Sequence, residues 1–429
     1  PDRKPAQPAR PRERGRAARC SSAADQQAYR HQTCSSPIAT RRRDVLRRRQ
    51  DLLAQLEELK KLNPEFEIWW DGHPGYFRKF LAELLEKGYP REEVEKIRKW
   101  MSHIEGGTFF FDGCTTNPPL NLQFLQSSPE VVSAIKEKYA NLLKRSWWYG
   151  YWITGKLGMD KFLSNYYRRG RRYGFVCMQV DPHYPHDTEI MKLQAMELAR
   201  AAPNAMIKIP ATKAGIEVIR YLTSLGISTN ATSCFCVPQV AMVDQAVNEE
   251  YEEGVQKGVD YSGWRSVITM MIGRWEASTE WDAEANEMGE IITEEDRRYF
   301  GLLMVRKAVE VVKSMNAPTK VLVCSTRKGP GERYLHMEGL AGLPIIVTMN
   351  KEAIEWALTL PLRDESGNIK MMKELPQDKV NRLMKFEWVR KSIDPRGLTI
   401  DEIHQSSAQK KNLTEFAKAL EEIQKIFTI

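Results

Sequence analysis

The segment AMIKIPATKAG, residues 205–215, sets a lysine inside the apolar pattern of a buried strand, with Met206, Ile207 and Ile209 around Lys208. A buried ammonium without compensation is costly and tends to give up its proton, which leaves a nucleophilic amine. The chemistry that needs such an amine is imine formation with a carbonyl. Once protonated, the imine is an electron sink that lets the adjacent carbon–carbon bond of a ketose break or form. Lys213 is a poorer candidate: it follows Pro210, where the strand should end and a helix begin, so solvent keeps it charged. Further polar residues recur at the ends of apolar runs, namely Asp71, Asn117, Gln179 with Asp181, Asn230 with Thr232, Thr269, and Ser325 with Arg327. Singly, each has a structural explanation, with Asp71 as a helix cap, Asn117 as a stabiliser of the turn before Pro118 and Pro119, and Asn230 as a satisfied core amide. Repeated on run after run around one central lysine, they argue for a site.

The runs that carry them are FEIWWD (66–71), GTFFFDG (107–113), GFVCMQVD (174–181), AMIKIPA (205–211), ISTNATSC (227–234), SVITMMIG (266–273), KVLVCST (320–326) and LPIIVTM (343–349). Helical periodicity fills the gaps, clearly in TEIMKLQAMELARAA, GIEVIRYLTSLG and EEDRRYFGLLMVRKAVEVVKSM. That alternation argues parallel strands with helical crossovers, and eight units close into a (β/α)8 barrel whose C-terminal strand ends hold the function. An open doubly wound sheet would want a glycine-rich phosphate loop after an early strand, and none is present. The expected organisation is a disordered basic segment over 1–43, an α/β barrel over 44–375 opened by the amphipathic helix DVLRRRQDLLAQLEELKKL, and C-terminal helices over 376–429 packed outside the barrel.

Composition narrows the function classes. With 429 residues, 42% of them hydrophobic, the chain can bury a large core. No run of about 18 apolar residues offers a membrane span. The net charge of +8 is not spread over the chain: residues 1–50 hold 13 Arg and one Lys against four acids, which leaves 50 basic and 52 acidic residues elsewhere. A nearly neutral body speaks against nucleic-acid binding, and the Pro-, Arg- and Ser-rich start reads as a gene-start artefact, an organelle transit peptide or a basic tail. The seven cysteines are scattered, and Cys234 and Cys236 stand too close for zinc-type spacing, so reduced thiols in a cytoplasmic compartment are expected, with an organelle as the alternative.

In order, WWDGHP, CTTNPPL, VCMQVD, IKIPATKAG, GISTNATSCFCVPQ, ITMMIGR and STR resemble the transaldolase family, a branch of the class I aldolases, over roughly residues 66–350. The resemblance implies a Schiff base on Lys208, with Asp71 as the acid/base for the hydroxyl at the cleaved bond and Thr232 positioning a water. It further implies that Asn117, Asn230 and Thr269 bind hydroxyls of the three-carbon unit. Arg274, Ser325 and Arg327 would form the sugar-phosphate site, where guanidinium forks suit phosphate oxygens. Two positions depart from the pattern: Gln179 stands where most of the family has a catalytic glutamate, as in the related fructose-6-phosphate aldolases, and Met271 replaces the tyrosine those aldolases carry on strand six. The aromatic stretch 146–173 reads as packing of long helices or as a lid. Three functions are expected: transfer of a dihydroxyacetone unit between sugar phosphates, an aldolase releasing dihydroxyacetone, or a non-catalytic barrel that binds a phosphosugar or acts as a scaffold. Sugar phosphates are the implied partners, with no nucleic acid, membrane, cofactor or metal, and a homodimer is left open.

Overall fold

The computed structural model describes residues 55–101 and 110–428. Eight parallel strands close in chain order into a single barrel: β1 (Glu67–Asp71), β2 (Cys114–Thr115), β3 (Val176–Gln179), β4 (Ala205–Pro210), β5 (Thr229–Cys234), β6 (Ser266–Met271), β7 (Thr319–Cys324) and β8 (Ile346–Met349). β8 closes on β1 through the pairs Glu67–Ile346 to Trp70–Met349. Helices lie between successive strands, so the (β/α)8 barrel expected from the alternation is the fold.

β2 differs from its expected position. The run 107–113 was expected to be the strand; 107–109 lie outside the described residues, and among the described ones the ladder holds only Cys114 and Thr115. The reason is local to Asp112. Its carboxylate accepts from the Ile68 backbone N–H at 3.0 Å and is held by Lys60 and Arg169, each at 2.8 Å. A side-chain oxygen thereby takes a β1 donor that a regular ladder would give to a carbonyl. Phe110 and Phe111 turn into an aromatic cluster with Trp100, Trp70 and Phe77.

Alternation along each strand decides what enters the barrel. On β1, Trp70 packs outward on Phe77 and Phe80, which leaves Glu67, Trp69 and Asp71 to the interior. On β4, Lys208 faces inward while Ile207 and Ile209 face the helices. The aromatic stretch forms one helix, Trp148–Arg168, whose Tyr151 donates to the Gln179 carbonyl at 3.0 Å and whose Trp152 donates to the Glu197 carbonyl at 3.1 Å. These bonds and the burial of Tyr151, Phe162 and Tyr166 make the stretch part of the packing. Four helices occupy residues 377–427, the last being Ser407–Phe427. Among the described residues no helix is long and apolar enough to cross a membrane. Residues 1–43, for which disorder was expected, lie outside the described residues.

Candidate active site

At the C-terminal end of the barrel is a cavity of about 260 Å³. Lys208 forms its floor, 3% exposed, and its Nζ donates to the Thr116 carbonyl at 3.3 Å. Lys213 instead opens the helix after β4, exposed, with Thr212 as the cap. On β1, Asp71 does not cap the following 3₁₀ turn; His73 does, accepting from the Gly75 N–H. Asp71 Oδ1 accepts from the Thr115 hydroxyl at 2.7 Å, and Thr115 is bonded in turn to Thr348 at 2.5 Å. Burial pushes the Asp71 carboxyl above the usual aspartate range, while the Lys208 charge and the Thr115 hydroxyl pull it back. A carboxyl shifted upward holds its proton more tightly than a free aspartate, which suits a general acid/base.

Of the ten candidate residues, Asp71, Asn117, Lys208, Thr269, Arg274, Ser325 and Arg327 line this cavity. Asn117 also caps the helix Pro118–Gln126 through its Oδ1, which accepts from the Leu120 N–H at 2.9 Å. The other three do not line it. Gln179 and Asn230 are the register neighbours of Lys208 on β3 and β5, and Thr232 lies beside Pro210; all three are fully buried. Asn230 is a satisfied amide, donating to Cys177 Sγ at 3.1 Å and accepting from the Thr269 hydroxyl at 2.6 Å. Neither amide atom of Gln179 nor the Thr232 hydroxyl has a protein partner.

The cationic rim comes from the ends of β6 and β7. Gly273, just before Arg274, lies against the β7 end so closely that an added Cβ would stand 2.1 Å from the Ser325 carbonyl oxygen, so only glycine fits. Ser325 itself adopts a left-handed backbone, φ 58°, which for a non-glycine residue is strain held by its surroundings. The loop after it is pinned from beneath. The Arg327 N–H donates to His336 Nδ1 at 2.8 Å, His336 Nε2 lies 3.1 Å from Glu276 Oε2, Glu276 pairs with Arg298, and Arg298 Nε donates to the Lys328 carbonyl at 2.8 Å.

A family model described as Transaldolase/Fructose-6-phosphate aldolase matches residues 93–426. The chain belongs to this family. It is similar to Transaldolase 2 of Streptomyces avermitilis, 32% identical over 164 residues, which are 38% of this chain and 44% of that protein. It is also similar to the transaldolase of Mycolicibacterium smegmatis, 39% identical over 118 residues, 27% of this chain and 31% of that one. The aligned stretches thus span less than half of either relative. The transaldolase-family match begins downstream of β1, yet β1 and its Asp71 are hydrogen-bonded into the barrel between β8 and β2.

The sequence reading missed several lining residues. Thr115, Thr348 and Asn350 sit at the ends of β2 and β8, where a residue-by-residue search of strand ends could have found them. Glu415 and Phe416 also line the cavity, although they lie on the last helix, which was expected only outside the barrel. Their amphipathic surroundings, NLTEFAKALEEIQKIF, look like those of any outer helix and carry no signal of the mouth.

Proposed function

We propose that this protein moves a dihydroxyacetone unit between sugar phosphates through an imine on Lys208. The observation that carries the reading is a single buried lysine at the floor of a polar cavity, with the raised carboxyl of Asp71 nearby and two guanidiniums at the rim. In its neutral form the amine adds to the ketose carbonyl, and loss of water gives the imine. Asp71 then accepts the proton of the hydroxyl on the carbon beyond the bond to be broken. The carbon–carbon electron pair flows into the protonated imine and an aldose leaves. Addition of the resulting enamine to an acceptor aldehyde reverses these steps, with Asp71 returning the proton, and hydrolysis frees Lys208. The unpartnered Gln179 amide, beside Lys208, and the unpartnered Thr232 hydroxyl, beside Pro210, suit the water that imine formation releases and hydrolysis consumes. Arg274, Ser325 and Arg327 would bind the phosphate, with Asn117 and Thr269 near the hydroxyls of the three-carbon unit.

Incubation with fructose 6-phosphate and borohydride, followed by peptide mapping, should find the reduced adduct on Lys208, and Lys208→Met should abolish it. Failure to label Lys208 with a panel of ketose phosphates and free ketoses would remove the imine reading. A second reading, release of dihydroxyacetone to water, is favoured by Gln179, since an amide orients water but takes no proton. Measuring free dihydroxyacetone with and without an aldose phosphate acceptor separates the two: release that an acceptor does not suppress makes the protein an aldolase.

A further inference from the structure

The two rim arginines are not in the same electrostatic state. Arg274 Nη1 is 2.7 Å from Glu415 Oε2 and its guanidinium lies over the Phe416 ring, 5.8 Å from the centroid. Among the described residues no carboxylate pairs with Arg327. Glu415 is no passing surface contact, because its helix is fastened along its length. The backbone N–H of Ser407 donates to Glu280 at 2.7 Å, and Asn412 Nδ2 donates to Ser233 Oγ, near the C-terminal end of β5, at 2.7 Å. Glu421 meets His183 at 3.2 Å, and the Phe427 ring occupies the space an added Cβ on Gly150 would need. Phe416, next to Glu415, is buried in the cavity wall. The helix therefore holds Glu415 at the mouth, with its half-exposed carboxylate on Arg274.

We infer that Glu415 is a specificity-determining residue: a resident carboxylate that competes with a substrate phosphate for Arg274 and so lowers the preference for phosphorylated over non-phosphorylated ketoses. The inference rests on the reading of the cavity as a ketose site. A dianionic phosphate approaching Arg274 meets a like charge already paired there, and either shares the guanidinium or relies on Arg327. A free ketose, ending in a neutral hydroxyl, meets no such repulsion.

Glu415→Gln keeps the size and an accepting oxygen and removes the charge. The KM for fructose 6-phosphate, divided by the KM for fructose, should fall about two- to fivefold, the scale of one half-exposed charge contact. The inhibition constant of inorganic phosphate should fall with it, and both effects should shrink as salt is raised. Glu415→Asp, which keeps the charge, should stay near the wild-type ratio. An unchanged ratio, both KM values rising together, or Asp behaving like Gln would overturn the inference, since Glu415 would then only orient Arg274. Calorimetric titration with inorganic phosphate reads the same affinity without turnover, and equal affinity of wild type and Glu415→Gln would also overturn it. Failure of borohydride trapping at Lys208, by contrast, would sink the ketose reading while leaving that phosphate comparison intact.

Discussion

Asp71 is held at the mouth at a cost to the fold. Its carboxyl is half-buried in the cavity wall, burial raises its pKa, and the opposing pull of Lys208 and Thr115 does not cancel the shift. Folding therefore binds its proton more tightly than the unfolded chain does. Stability contributed by the protonated form is present below the ordinary aspartate pKa of about 4 and is lost as pH rises through the higher folded value. Asp71→Asn should accordingly melt above the wild type at neutral pH, with the gap closing as pH approaches about 4, while kcat falls about 10²- to 10⁴-fold. Melting curves that coincide at both pH values would show that the burial is not expressed in stability. Lys208 was legible in the sequence because packing alone seldom places a lysine amid apolar strand residues. Access was not legible: a period of two tells which face of a strand a residue takes, but not whether its neighbours close it off from the cavity. That is why Gln179, Asn230 and Thr232 were grouped with the mouth, although they are fully buried level with Lys208 and Pro210 and do not line the cavity. The bland reading of Asn230, a satisfied core amide, matches its two bonds.

Among elements, the loop between β7 and the helix Leu335–Leu340 is the one whose shape the rim depends on. His336, on that helix, accepts from the Arg327 N–H while Arg298 holds the next carbonyl, and the buried Glu276 joins the two supports. His336 is thus a positioning residue acting through Arg327. His336→Ala should free that N–H and let the loop relax, raising KM for a phosphorylated donor about tenfold with a smaller change in kcat; loss of kcat at constant KM would assign the histidine elsewhere. None of this support was readable from sequence, because Glu276 follows the short helix Ile272–Trp275, Arg298 and His336 lie on two later helices, and the three carry no local motif. The strands themselves were readable, since each short β-rich run is bounded by turns and helical periods. The β2 run failed because Asp112 uses its side chain where a backbone carbonyl was expected, a substitution that composition does not reveal.

At the scale of the whole barrel, the end opposite the cavity holds a charge cluster that ties the first strand to β6 and β7 across from it. Glu67, the first residue of β1, pairs with Arg265, just before β6, and with Lys320 of β7, both at 2.8 Å, and accepts from the Trp69 indole at 3.0 Å. Burial works to raise the Glu67 pKa, but the two cations outweigh it and bring the carboxyl down to about 2. A depressed folded pKa means the carboxylate stabilises the barrel above its unfolded value of about 4.5, and that this contribution is lost as pH falls from about 4.5 through about 2. The size is about 2 to 4 kcal/mol, and removing the charge leaves Arg265 largely buried without its counter-ion. Glu67→Gln should therefore melt well below the wild type at pH 7, and the two curves should converge as acid protonates the wild-type residue. Other carboxylates titrate in the same window, so the informative quantity is the difference between the two proteins, measured by thermal unfolding from pH 7 to pH 2.5. A difference that stays constant across that range would mean the variant is destabilised by lost packing against Trp69, with the ion pairs contributing little to holding β1 against β6 and β7.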